Sequence, residues 1–161
     1  REIRGLAAGS PWPCDFGPDL SRGFRALKTW FTLKTYGTAA LGAMISRTCE
    51  IARYLEYKIA ASRQFELLAP VHLNIVCFSV TGDDADEVNR AVVMDLHERG
   101  IAAPSLTILG GKPVIRAAIL NHRTRQSDMD VFVAAAAESA ARLRGPGVAL
   151  HSAAIDPADI D

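Results

Sequence analysis

At 161 residues, 49% of them hydrophobic, the chain is long enough to bury a core of its own. Its 18 basic and 18 acidic side chains cancel, so no global field draws it to nucleic acid or an anionic membrane, and any anion site must be local. Three cysteines, Cys14, Cys49 and Cys77, form no CxxC pair, no metal-ligand spacing and no even disulfide set, the pattern of a reducing, cytoplasmic compartment.

The first nineteen residues hold three prolines in "SPWPCDFGPD" and read as an irregular arm. They begin abruptly with "REIRG", as a chain cut from something longer would, and without the apolar core of a signal peptide. From Leu20 an apolar stripe of Leu20, Phe24, Leu27, Phe31 and Leu33 predicts a first helix, with Gly37 placed as its left-handed cap. The polar residues of this stretch are almost all basic: Arg22, Arg25, Lys28 and Lys34, with no acid between Asp19 and Glu50. From Thr38 to about Arg63, Leu41, Met44, Ile45, Ile51, Leu55 and Ile59 recur mostly every three or four positions, which predicts one long amphipathic helix.

The period then changes. "FELLAPVHLNIVCFSV" is rich in aromatic and β-branched residues and apolar on both alternating faces, so it predicts strands inside a sheet, with Cys77 as an inert core thiol. "TGDDADEVNRAVVMDLHERG" is a helix with Asp84 as N-cap, Val88, Val92 and Leu96 facing inward and Gly100 as its stop. "SLTILGGKPVIRAAILN" is a hairpin turning on Gly110 and Gly111, with Pro113 at a strand's first position. A last helix starts near Thr124, and after "GPG" the tail is loose. No apolar run approaches the roughly 20 residues of a membrane span; the longest uninterrupted one is "VFVAAAA", Val131–Ala137.

The expected architecture is α+β, with two N-terminal helices followed by a small antiparallel sheet covered by helices on one face. The expected organisation is an arm over 1–19, a helical connection over 20–63, a small α+β domain over 64–145 and a tail over 146–161.

No nucleophile elbow, zinc motif, P-loop or dinucleotide fingerprint occurs, and His72, His97, His122 and His151 lack ligand spacing. His97, near a helix end, reads as a satisfied surface imidazole. Arg116 is the sharper residue. It stands mid-strand in "PVIRAAIL" on a face shared with Val114, Ala118 and Leu120, where an unpaired guanidinium is costly. It answers to a structural ion pair, to an edge-strand position reaching water, or to a bound anion.

The text "RGFRALKTWFTLKTYG" resembles the segment in which pyridoxal-phosphate-dependent group II amino-acid decarboxylases pass from their large domain to their small C-terminal one. Arg25, Leu27, Lys28, Trp30, Phe31 and Gly37 match the family's pattern there. "RQFELLAPVHLNIVCF" and "VIRAAILNHRT" resemble two further family segments in the same order, and together the likeness covers roughly residues 19 to 144. One departure is Ser21-Arg22-Gly23, where many relatives have Gly-Arg-Arg or Gly-Arg-His.

The resemblance implies the C-terminal portion of a fold-type-I homodimer that removes the carboxylate of an amino-acid substrate as CO2 with the help of pyridoxal phosphate. It implies a missing N-terminal large domain carrying the cofactor lysine, which in that family follows a histidine. None of the four histidines here precedes a lysine, so the chain alone is expected to hold no cofactor, to contain no catalytic residue or metal site, and to be inactive. By position Arg116 matches an arginine used for substrate carboxylates. Arg22, Arg25 and Lys28 are expected to dock the large domain or line its cleft. The alternatives are a non-catalytic α+β dimerisation or interaction module, or part of another fold-type-I enzyme such as a lyase or an aminotransferase.

Overall fold

The computed structural model describes residues 16–17, 21 and 23–145. The expectations for Cys14, Arg22, most of the arm and the tail lie outside the described residues. Two compact units divide the chain, Arg1–Leu41 and Gly42–Asp161.

Helix α1, Arg25–Ala60, begins in the first unit. It starts five residues later than the apolar stripe predicts. Gly23 and Phe24 are non-helical, and the Arg25 N–H closes a tight turn on the Gly23 carbonyl at 2.8 Å; glycine gives up more backbone freedom to a helix than any other residue. The helix is interrupted at Gly37, where φ is 74° and ψ 160°. The expected break is there, but its form is not the left-handed cap: this combination is open essentially to glycine alone. Between Arg25 and Gly37 the helix carries Leu27, Trp30, Phe31, Leu33 and Tyr36, all exposed. Trp30 meets Phe31 edge-on at 5.1 Å, and the Lys34 ammonium stands 5.8 Å from the Trp30 ring.

In the second unit α1 runs on to Ala60 and buries Ile51, Ala52, Leu55 and Ile59. Next come β1 (Phe65–Leu67), β2 (Ile75–Val80), α2 (Ala85–Glu98), β3 (Ser105–Leu109), β4 (Lys112–Ala118) and α3 (Gln126–Leu143). The sheet is antiparallel in the order β1-β2-β4-β3. The long apolar stretch from Phe65 to Val80 therefore splits in two, interrupted past Leu68 around Pro70, which has no N–H to give a ladder. β2 is an inner strand, as its two apolar faces predict. The hairpin β3–β4 turns on Gly110 and Gly111 with φ of 58° and 80°, the geometry that side chains with a Cβ resist. Pro113 is the second residue of β4 rather than its first and lies opposite Ile108.

One face of the sheet carries Phe65, Val76, Phe78, Val80, Ile115, Ala117 and Ile119 into a shared core with α1, α2 and α3. Phe78 sits at its centre, edge-on to Phe65 at 5.4 Å and to Phe132 at 5.9 Å. Each large side chain fully buried here contributes about 1.5–3 kcal/mol. Polar clasps hold the helices. Asp95 of α2 accepts from Ser139 and Arg142 of α3 and from Arg99. Asp130 of α3 accepts from the Tyr54 hydroxyl at 2.7 Å and pairs with Lys58 at 3.0 Å, both on α1.

One local expectation is corrected. Asp84 stands just before α2, but its side chain makes no capping bond. Its carboxylate is taken by Arg144, whose guanidinium also donates to the Thr81 carbonyl; a charge-assisted pair displaces the weaker neutral cap. The last helix starts at Gln126, close to the expected Thr124, and the Asp128 carboxylate in its first turn accepts the Arg125 N–H at 2.9 Å. His97 is satisfied, as expected: its Nε2 donates to the Pro104 carbonyl at 2.7 Å and ties the end of α2 to the approach to β3.

Candidate functional site

Side chains alternate across a strand, so with Ile115, Ala117 and Ile119 in the core, Val114, Arg116 and Ala118 face the other way. The same parity puts Cys77 and Ser79 of β2, Glu66 of β1 and Ser105 and Thr107 of β3 on that second face. None of these residues belongs to the helix-covered core. The second face is mostly small or polar side chains, with a single guanidinium among them; Val114 and Ser79 on it are buried, whereas Cys77 and Arg116 are half-buried.

β4 lies between β2 and β3, so Arg116 is not an edge-strand residue. Its register neighbours are Cys77 on one side and Ser105 on the other. Its one side-chain hydrogen bond, Nη1 to Ser105 Oγ, is long at 3.5 Å. Among the described residues no carboxylate pairs with it, whereas Arg142 and Arg144 each hold one and Arg99 holds two. Two of the three sequence readings of Arg116, the structural ion pair and the edge strand, are thereby removed. A half-buried cation on an inner strand, facing away from the core and with no acid among the described residues, is a place where an anion gains both charge pairing and hydrogen bonds.

β4 reaches two hollows, and Arg116 lines neither. One, of about 440 Å³, is lined by Ala118, Leu120, Asn121, Thr124, Asp128 and Met129 among others. The other, of about 430 Å³, is lined by Val114, Ser79, Glu66, Lys112, Asp83 and Asp86 among others.

Cys77 was expected to be an inert core thiol. It is half-buried and outside the core, directly across from Arg116. Burial pushes its thiol up, and the nearby Arg116 charge pulls it back only in part, so the group is neutral at ordinary pH. Sequence reasoning missed this neighbour because the two residues are far apart in the chain.

Of the other predicted site residues, Arg25 opens α1 and Lys28 follows within one turn, both exposed in the first unit. Arg116 belongs to the second unit. Arg22 lies outside the described residues.

Neither Lys58 nor Lys112, the two lysines of the second unit, fits pyridoxal phosphate as a site of its own. Lys58 is committed to Asp130. Lys112 lines its hollow beside Glu66, Asp83 and Asp86, whose charges oppose a phosphate ester.

Residues 13–81 match the family described as the pyridoxal-dependent decarboxylase conserved domain. The chain belongs to the pyridoxal-dependent decarboxylase family. Tyrosine decarboxylase 4 of Petroselinum crispum is 37% identical over 109 residues, which are 62% of this chain and 22% of that protein. Among solved structures, the glutamate decarboxylase domain of a diaminobutyrate-pyruvate transaminase and L-2,4-diaminobutyrate decarboxylase from Vibrio parahaemolyticus is 33% identical with a TM-score of 0.67. The match covers 73% of this chain and 26% of that one. Oryza sativa TDC with PLP and tryptamine is 27% identical with a TM-score of 0.71, covering 77% of this chain and 28% of that one. The chain thus spans about a quarter of the length of these relatives. No helix among the described residues is long and apolar enough to cross a membrane.

Proposed function

We propose that this chain is the C-terminal part of a pyridoxal-phosphate-dependent amino-acid decarboxylase. In this reading the face of its sheet that carries Arg116 forms one wall of the active-site cleft, and Arg116 receives a carboxylate of the substrate. The observation that carries the reading is an inner-strand guanidinium facing away from the core with no acid among the described residues to neutralise it. The cofactor is held by the large domain and the dimer partner, since Lys58 and Lys112 of this chain do not fit it. The isolated chain is therefore inactive, and Arg22, Arg25 and Lys28 face that large domain.

Strength of binding decides which task Arg116 performs. A tight pair with the carboxylate that departs as CO2 would stabilise the bound substrate more than the transition state and so slow the reaction. Arg116 accordingly orients the substrate, through a loose contact or through another anionic group. The relatives act on different amino acids, so the substrate is sought with a panel.

The test is the full reading frame, expressed with pyridoxal phosphate and assayed for CO2 release from tyrosine, tryptophan, glutamate and 2,4-diaminobutyrate. At least one should be turned over, and Arg116→Gln should raise KM for it by about tenfold or more. Loaded protein that releases CO2 from none of these, nor from any other common amino acid, would falsify the reading.

A further inference from the structure

We propose that Cys77 is a positioning residue for Arg116: a small, uncharged neighbour that leaves the guanidinium free to take the carboxylate of an amino-acid substrate. The proposal rests on the reading of Arg116 given above.

The register supplies the geometry. The Ile119 N–H bonds the Asn74 carbonyl at 2.9 Å, and this pair fixes the alternation along β2 and β4. Val76 with Ala117 and Phe78 with Ile115 are then the pairs that exchange hydrogen bonds, and Cys77 with Arg116 is a pair that does not. Residues in a non-hydrogen-bonded pair are the closer kind, with Cα atoms about 4.5 Å apart, so whatever stands at position 77 rests against the stem of Arg116.

The groups around the guanidinium explain why the identity of that residue matters. Ser105, across β3, offers one long neutral contact. Val114 and Ala118, two residues away on β4 itself, offer no polar group. A carboxylate at position 77, directly across from Arg116, would pair with it, as Asp95 and Asp84 pair with their own arginines, and would neutralise it in place. A larger apolar side chain would bend its stem away from the face. A thiol is small, and its raised titration keeps it uncharged. It therefore supports the arginine without consuming its charge.

Two experiments test this. In the full-length protein loaded with pyridoxal phosphate, Cys77→Ser should leave KM within about twofold. Cys77→Asp should raise it about tenfold or more, as Arg116→Gln does, with a smaller change in kcat. If Arg116→Gln raises KM and Cys77→Asp does not, the role of Cys77 is overturned while that of Arg116 stands. If Arg116→Gln leaves KM unchanged, both fall.

The second measurement needs neither activity nor a destabilised variant. In the 161-residue chain carrying Cys14→Ser and Cys49→Ser, the pH profile of Cys77 alkylation by N-ethylmaleimide should move to higher pH when Arg116→Gln removes the neighbouring charge. An unmoved profile would show that the two side chains do not meet, and the proposal would be wrong.

Discussion

Asn89 reaches Pro113 across the sheet: its Nδ2 donates to the proline carbonyl at 3.0 Å while its Oδ1 accepts the Val80 N–H at 3.0 Å. Phe78 pairs with Ile115, so Val80 falls opposite Pro113, where β2 and β4 would exchange their next two hydrogen bonds. Proline cannot donate one of them. The Asn89 carboxamide from α2 takes up the groups left over, and the Ser79 hydroxyl donates to the Val80 carbonyl and accepts from Asn89. Asn89 is completely buried, and among the described residues no buried side-chain polar atom lacks a partner.

Asn89→Ala should cost about 2–6 kcal/mol, because it strands a buried donor and a buried acceptor at about 1–3 kcal/mol each. The loss is read from the urea midpoint at unchanged slope. Asn89→Asp should be as damaging, since it loses the donor to Pro113 and buries a charge. A midpoint within error of wild type for either would remove the bridge from the list of what holds this sheet together.

Gly37 and Gly42 should respond to alanine with opposite signs. Gly37 has backbone angles that only glycine adopts freely, so Gly37→Ala should destabilise by about 1–3 kcal/mol. Gly42 lies in an ordinary helical turn with open space around its Cα, and Gly42→Ala should stabilise by about 0.5–1 kcal/mol. Melting temperatures of the two variants, compared under one condition, decide it.

Arg116 should be dispensable for folding. It makes one long side-chain contact, and a residue kept for binding is commonly a burden on stability. Arg116→Thr, which suits a strand, should leave the chain unchanged or more stable by up to about 1 kcal/mol. A loss of several kcal/mol in equilibrium unfolding would mean that the guanidinium is structural.

Acid should loosen the α2–α3 clasp. Burial pushes the Asp95 carboxyl up, but bonds from Ser139, Arg142 and Arg99 outweigh it and hold the group below the usual aspartate range. The Arg144 bond does the same for Asp84. A depressed carboxylate contributes stability fully above its unfolded value, about pH 4, and loses it as the pH falls through the lower folded value. Asp95→Asn should therefore lower stability at neutral pH and flatten its dependence below pH about 4. On the alkaline side the order reverses. Bonds to Asp130 raise both Tyr54 and Lys58, so their contribution is present at neutral pH and lost only as the pH rises past about 10. A stability profile that stays flat from pH 3 to 7 in the wild-type chain would contradict the acid limb.

The elements of this protein were legible in its sequence because local chemistry decides them. The helical stripe through Ile51, Leu55 and Ile59, the paired glycines of the hairpin and the two-faced apolar strand each act within a few residues, and all three stand where the pattern predicts them. Boundaries and caps were less legible. Asp84 has a capping residue's identity, yet an arginine sixty positions away takes its carboxylate. The charge of Arg116 and its lack of an adjacent acid could be read from the text. That it lies on an inner strand, that Cys77 stands across from it, and that the face they share is not the one the helices cover were all set by how β2 meets β4, a pairing about forty residues apart in the chain. Long-range strand register follows from which faces can be buried together, and only the assembled core makes that choice.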